Sequence, residues 1–211
     1  MFYKRITVNN NLKEKIISMK DSWRICLLLT LFITGLIIGS FVIKNNNSLL
    51  INQIEQIVKN SVTEKSSSSF IKNFFDFLLP NTVYLILSFT FGFCAVGIPL
   101  ISLLPLIKGF GMGIIGAYIY QAFAIKGVCY CLLIFFPAQI ISSAVLIYAC
   151  NEGFYMASEL FNALRIKQIS KEKDFIRVYL TRFVILLSFL LIASFTDSLL
   201  SSIFSGFFVL F

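Results

Sequence analysis

The chain has no histidine, so the commonest general base and the commonest metal ligand are both missing. What remains for chemistry is ten carboxylates and five cysteines. Seven of the acids, Glu14, Asp21, Glu55, Glu64, Asp76, Glu172 and Asp174, lie in polar surroundings and read as solvated charges. Glu152 and Glu159 are seven residues apart and share a helix face. Phe154, Ala157, Phe161 and Leu164 form an apolar stripe beside them, and the basic run Arg165–Lys173 follows, a pattern expected of a helix resting on anionic lipid.

Asp197 is the candidate intramembrane acid, because it alone interrupts the last apolar region. A span over 179–199, with Arg182 snorkelling, puts Asp197 at an interface, whereas a span over 183–211 puts it near the bilayer centre. Arg177 and Arg182 mark an inner boundary and favour the first. Cys26, Cys94, Cys129, Cys131 and Cys150 all fall in apolar segments and read as small hydrophobes. Cys129 and Cys131 are two apart on a helix, so their thiols point away from one another. These residues predict no catalytic pair, no metal site, no cofactor and no disulfide. An intramembrane hydrolase is therefore the weakest functional class.

The elements that must position these residues are membrane helices. Residues 25–43, 77–107, 109–125 and 127–151 carry no charge at all, and 58% of the chain is hydrophobic with a mean hydropathy of +0.87. About 20 apolar residues cross the hydrocarbon as a helix, which satisfies its own backbone. The expected architecture is an all-α integral membrane protein with about five transmembrane helices, the N-terminus inside, and amphipathic helices at the interface. Its expected segments are a basic arm to 24, spans over 25–43, 82–104, 109–125, 127–150 and 179–199, an extracytoplasmic loop over 44–81, a cytoplasmic basic segment over 151–178, and an apolar tail over 200–211. The first span is too long for a signal peptide and lacks a cleavage site after it, so it is expected to be retained.

The net charge of +8 follows topology rather than nucleic-acid binding. With five spans and an inner N-terminus, 13 of the 18 basic residues fall on the cytoplasmic side, leaving Lys44, Lys59, Lys65, Lys72 and Lys126 outside. Leu12, Ile16, Met19 and Trp23 recur at helical spacing, as do Leu50, Ile54, Ile57 and Val58, and both sets suggest interfacial helices. Phe70, Phe74 and Phe77 form an aromatic stripe ending at Pro80, read either as an anchor in the outer leaflet or as the candidate partner interface.

Gly35 and Gly39, and then Gly109, Gly113 and Ala117, are the helix-packing candidates, since small residues four apart let backbones approach closely. Pro99 and Pro105 are expected to end or bend the second span near the cytoplasmic face, with Lys108 in a short turn that reverses the chain.

It is here that the chain resembles a known family. Gly97-Ile98-Pro99, then Lys108-Gly109-Phe110-Gly111-x-Gly113, Lys126-Gly127-Val128 and Phe136-Pro137-Ala138-Gln139 resemble, in order and spacing, the stage II sporulation protein M family of endospore-forming bacteria. The family pattern expects Pro followed directly by Gln and Asn where this chain has Pro137-Ala138-Gln139-Ile140. The resemblance implies a non-enzymatic scaffold in the cell membrane, at the sporulation septum. It would gather extracytoplasmic peptidoglycan hydrolases, an amidase/endopeptidase and a lytic transglycosylase, for septal thinning and engulfment of the forespore. Its other partners would be membrane lipids, not nucleic acid, and an oligomer is left open. The rival is a small permease or the membrane subunit of an exporter, suggested by the proline-broken second span, the glycine-rich third and Asp197.

Overall fold

The computed structural model describes residues 2–45, 56, 69–94, 97–166 and 172–204. They form five helices: α1 (Phe2–Asn45), α2 (Phe70–Gly92), α3 (Ile98–Tyr130), α4 (Phe136–Ile166) and α5 (Glu172–Phe204). A π-helical turn, Cys131–Phe135, joins α3 to α4. Among the described residues there is no strand, and the helices contain five runs long and apolar enough to cross a membrane: Ser22–Ile43, Phe70–Gly92, Ile98–Phe123, Gly127–Phe161 and Ile176–Ile203.

The second span starts at Phe70 rather than at residue 82, and this moves every boundary up to the third reversal. The chain reverses between α2 and α3 instead of at Lys108. Phe93, Cys94 and Gly97 donate their backbone N–H groups to the carbonyls of Thr90, Phe91 and Cys94, a tight turn that leaves no room for a side chain at Gly97. A Cβ there would fall on the Phe91 carbonyl oxygen. Pro99 then stands in the first turn of α3, where its missing N–H has no helical partner to lose. Pro80 and Pro105 lie inside α2 and α3 without ending either helix. Prolines tolerated within spans are common because neighbouring groups satisfy the freed backbone.

The next reversal lies within the bounds of α3. A Cβ on Gly127 would fall on the carbonyl oxygen of Ile119, eight residues earlier, whereas a straight helix would rise about 12 Å over that interval. The fourth span therefore begins at Gly127 and runs to Phe161, past the expected end at 150, and the fifth covers Ile176–Ile203 rather than 179–199.

Successive spans run antiparallel. Gly35 and Gly39 of α1 meet Leu106 and Phe110 of α3 in ascending order, so those two helices are parallel. Phe74 and Phe89 of α2 meet Ser194 and Tyr179 of α5 in descending order. Large apolar side chains such as Ile37, Phe41, Leu79, Leu132 and Ile192 point outward, as lipid allows.

α1 continues from Phe2 into the first span without a break, so the expected interfacial helix around Leu12–Trp23 is part of one 44-residue helix. The expected helix over 50–58 falls, apart from Gln56, outside the described residues, as do 167–171 and the end of the tail from 205.

Candidate functional site

Two polar constellations lie inside the bundle, and the first centres on Lys108. This residue is ten positions into the third span and 6% exposed. Helix continuity through Pro105 aims it at α2 and α4. Its ammonium donates to the Asn81 side-chain oxygen and, at 2.6 Å, to the Ser142 hydroxyl, with the Tyr84 ring 5.7 Å away. Ser142 in turn donates to the same Asn81 oxygen at 2.7 Å, and the Asn81 amide donates to the Phe77 carbonyl at 2.7 Å. One cation thus ties three spans together through neutral partners. An ammonium within hydrocarbon is costly unless its hydrogens find acceptors, and here oxygens on two helices and an aromatic face surround it.

The second constellation lines one face of α5. Ser194, Asp197, Ser198 and Ser201 recur at helical spacing, and none is more than 1% exposed. Ser194 donates across to the Phe74 carbonyl at 2.5 Å. Asp197 lies inside the last span and faces the bundle, within electrostatic reach of Tyr130. The interfacial reading of the sequence rested on a boundary at 199, and the span runs four residues further.

The glycine candidates meet one another. A Cβ at Gly35 or Gly39 would strike the carbonyl oxygen of Leu106 or Phe110, and one at Gly109 or Gly113 would strike that of Phe32 or Leu36. The two motifs read separately in the sequence are two sides of one α1–α3 seam. Ala117, one turn beyond Gly113, is half-buried.

Phe70, Phe74 and Phe77 do not form an exposed partner interface. Phe77 is buried against Ala138 and Ala193. Phe70 stacks edge-on against Phe195 with centroids 5.7 Å apart, and Phe74 is half-buried over α5. Spacing identified their common face, but the shift of the second span turns that face inward.

At the other end of the bundle, Arg182 pairs with Glu152 at 2.5 Å, and the Arg24 guanidinium lies 5.9 Å and 5.5 Å from the rings of Phe154 and Tyr155. Glu159 is exposed. Phe89, Phe93, Tyr179 and Phe183 form an aromatic box there, and the Tyr179 hydroxyl donates to the Phe89 carbonyl at 3.1 Å. Cys26, Cys94 and Cys129 are exposed, and Cys131 and Cys150 are buried, all five as free thiols. Among the described residues no three His, Cys, Asp or Glu side chains gather as a metal site would require.

Sequence reasoning missed the Lys108 cluster because it assigned the lysine to a turn. The signal was present in Asn81 and Ser142, polar residues set in otherwise apolar helical runs. The family model of stage II sporulation protein M matches residues 28–202, which takes in the middle three spans whole and all but the terminal ends of the first and fifth. No curated protein and no solved structure matches the chain.

Proposed function

Since this chain belongs to the stage II sporulation protein M family, and so is a sporulation-related multi-pass membrane protein, we propose that it is a scaffold that gathers peptidoglycan-degrading partners at the septal membrane. The partners would thin the septal wall during engulfment, and this chain would supply position rather than catalysis. The family is not known as one of enzymes.

The observation that carries this reading, beyond the family itself, is the use to which the polar residues are put. Lys108, Asn81 and Ser142 bond to one another and fix three helices in register. The α1–α3 glycine seam then fixes a fourth. A scaffold needs a shape that persists without substrate, and such interlocking favours it.

The charge distribution supports an N-terminus in the cytoplasm. Residues before the first span, the α4–α5 connection and the adjoining span ends together hold 12 of the 18 basic residues, against five on the opposite side. The connection between α1 and α2, residues 46–69, then faces the wall. It replaces the Phe70–Phe77 stripe as the surface to which partner enzymes would dock.

The second reading, a permease or exporter subunit, draws on Lys108 and Asp197, because ionisable residues buried within spans mark ion and substrate pathways by default. Crosslinking the tagged protein in its own host, followed by affinity purification and mass spectrometry, separates the two. Enrichment of peptidoglycan hydrolases is expected, with loss of that enrichment when residues 46–69 are replaced by a neutral linker. Enrichment of an ATPase subunit in their place would overturn the scaffold.

A further inference from the structure

We propose that the outward face of α2 around Asp76 receives a membrane helix of another protein, one that carries a lysine or arginine in the wall-side third of the bilayer.

The register of α2 against α5 places Asp76 in the membrane. The Ser194 hydroxyl meets the Phe74 carbonyl, and the Tyr179 hydroxyl meets that of Phe89. From Phe74 to Phe89 and from Tyr179 to Ser194 are both 15 residues, so one antiparallel register holds along the two helices. It sets Gly92 level with Ile176, the inner ends of the second and fifth spans, and Asp76 level with Ile192, which is 53% exposed. Asp76 is 16 residues outward from Gly92. That is about 24 Å along the helix, within a hydrocarbon core of about 30 Å. Lys72, four residues further out, falls at the core boundary. The sequence sets Asp76 in polar surroundings, and it is the start of the second span at Phe70 that carries it into the bilayer.

A carboxylate at that depth needs cover. Asp76 is exposed, and among the described residues it forms no hydrogen bond and no ion pair. Charged side chains within spans ordinarily face the bundle interior or a partner. Lysine and arginine escape by reaching the headgroups, but the aspartate side chain is too short to do so. Leu79, Val83 and Ile86 continue the same face of α2, each more than half exposed, and give an approaching helix an apolar track on either side of one fixed charge.

Charge chooses the occupant. Copies of this chain in one membrane share their orientation, so a two-fold contact through this face would set two Asp76 carboxylates at the same depth, like charge against like. A basic side chain on another protein's helix supplies the opposite charge where it is needed. The face also begins where the 46–69 connection ends, so a wall-side partner anchored by one membrane helix can engage both.

Förster transfer between the purified full-length protein and a synthetic membrane-spanning peptide in phosphatidylcholine vesicles tests this. The probe is a leucine–alanine helix of about 22 residues with one arginine about six residues from one end, and its control carries glutamine there. The arginine peptide is expected to associate about tenfold more tightly than the glutamine peptide. Asp76→Asn removes no bond within the chain and should abolish that difference, and Asp76→Lys should transfer the preference to a glutamate peptide. Equal association of the arginine and glutamine peptides with the unaltered chain, or association of neither, overturns the proposal. So does a preference that survives Asp76→Asn. Transfer between copies of the unaltered chain that disappears in Asp76→Asn would assign the face to a second copy and overturn it as well. No hydrolase takes part, so the result stands apart from the scaffold reading.

Discussion

The Lys108 ammonium and the Ser142 hydroxyl lie 2.6 Å apart in the interior of the bundle, and both converge on the side-chain oxygen of Asn81. The three residues come from three helices, so their contributions to stability are coupled but unequal.

Removing the charge and removing its acceptor should have opposite consequences. Lys108→Met leaves the Asn81–Ser142 bond in place and fills the same volume, so stability should stay level or rise. Asn81→Leu strands the ammonium with fewer acceptors, at a cost of about 3–5 kcal/mol. Unfolding of the detergent-solubilised protein, followed by circular dichroism, distinguishes them. Equal destabilisation by both variants would mean that the cation itself, rather than its satisfaction, is what the bundle requires.

The α1–α3 seam makes a second, position-specific prediction. Gly39→Leu and Gly113→Leu push side-chain carbons onto backbone carbonyls that cannot swing aside, so each should cost at least the roughly 1–3 kcal/mol of ordinary overpacking. Gly111→Leu and Gly116→Leu meet nothing within 4 Å and should accumulate normally. Protein levels in membranes check the contrast, and tolerance of all four would show that α1 does not lie against α3.

These glycines also mark how far the sequence could be read. Gly35 and Gly39, like Gly109 and Gly113, are visible as packing strips from their spacing, yet nothing in either strip names its partner, since glycine fits any close approach. Lys108 illustrates the opposite difficulty. A lone charge between two apolar runs is ordinarily a turn, and only the pairing with Asn81 and Ser142, 27 and 34 residues away, makes the interior tolerable for it. Gly97 and Pro99 carried the true helix start, a close backbone turn followed by a proline in the first turn. Phe70, Phe74 and Phe77 were legible as one face, but which side that face meets depends on a helix, α5, that comes more than 100 residues later.

The Arg182–Glu152 pair should matter little despite its short distance. Arg182 is half exposed and six residues inside the span, from where its long side chain reaches the interface, so water there screens the attraction and its ordering entropy offsets much of the gain. A double-mutant cycle with Arg182→Gln and Glu152→Gln should give a coupling of about 0.2–1 kcal/mol. A much larger value would indicate that the pair is shielded by lipid headgroups.

The aromatic box at the same end offers a sharper test of what holds α5. Tyr179 is buried among Phe89, Phe93 and Phe183 and also donates to the Phe89 carbonyl. Tyr179→Phe keeps the ring and loses only that hydrogen bond, a change of about 0.5–1.5 kcal/mol. Tyr179→Ala empties the box and should cost about 3–5 kcal/mol, as large aromatic deletions from cores do. Gly92 sharpens the reading, because a Cβ there would fall on the Tyr179 hydroxyl. Gly92→Ala should therefore destabilise the unaltered chain yet be relieved in part when combined with Tyr179→Phe. Additive losses in that double variant would instead trace the cost of Gly92→Ala to its second close neighbour, the Gly153 Cα at 3.1 Å, where α2 crosses α4.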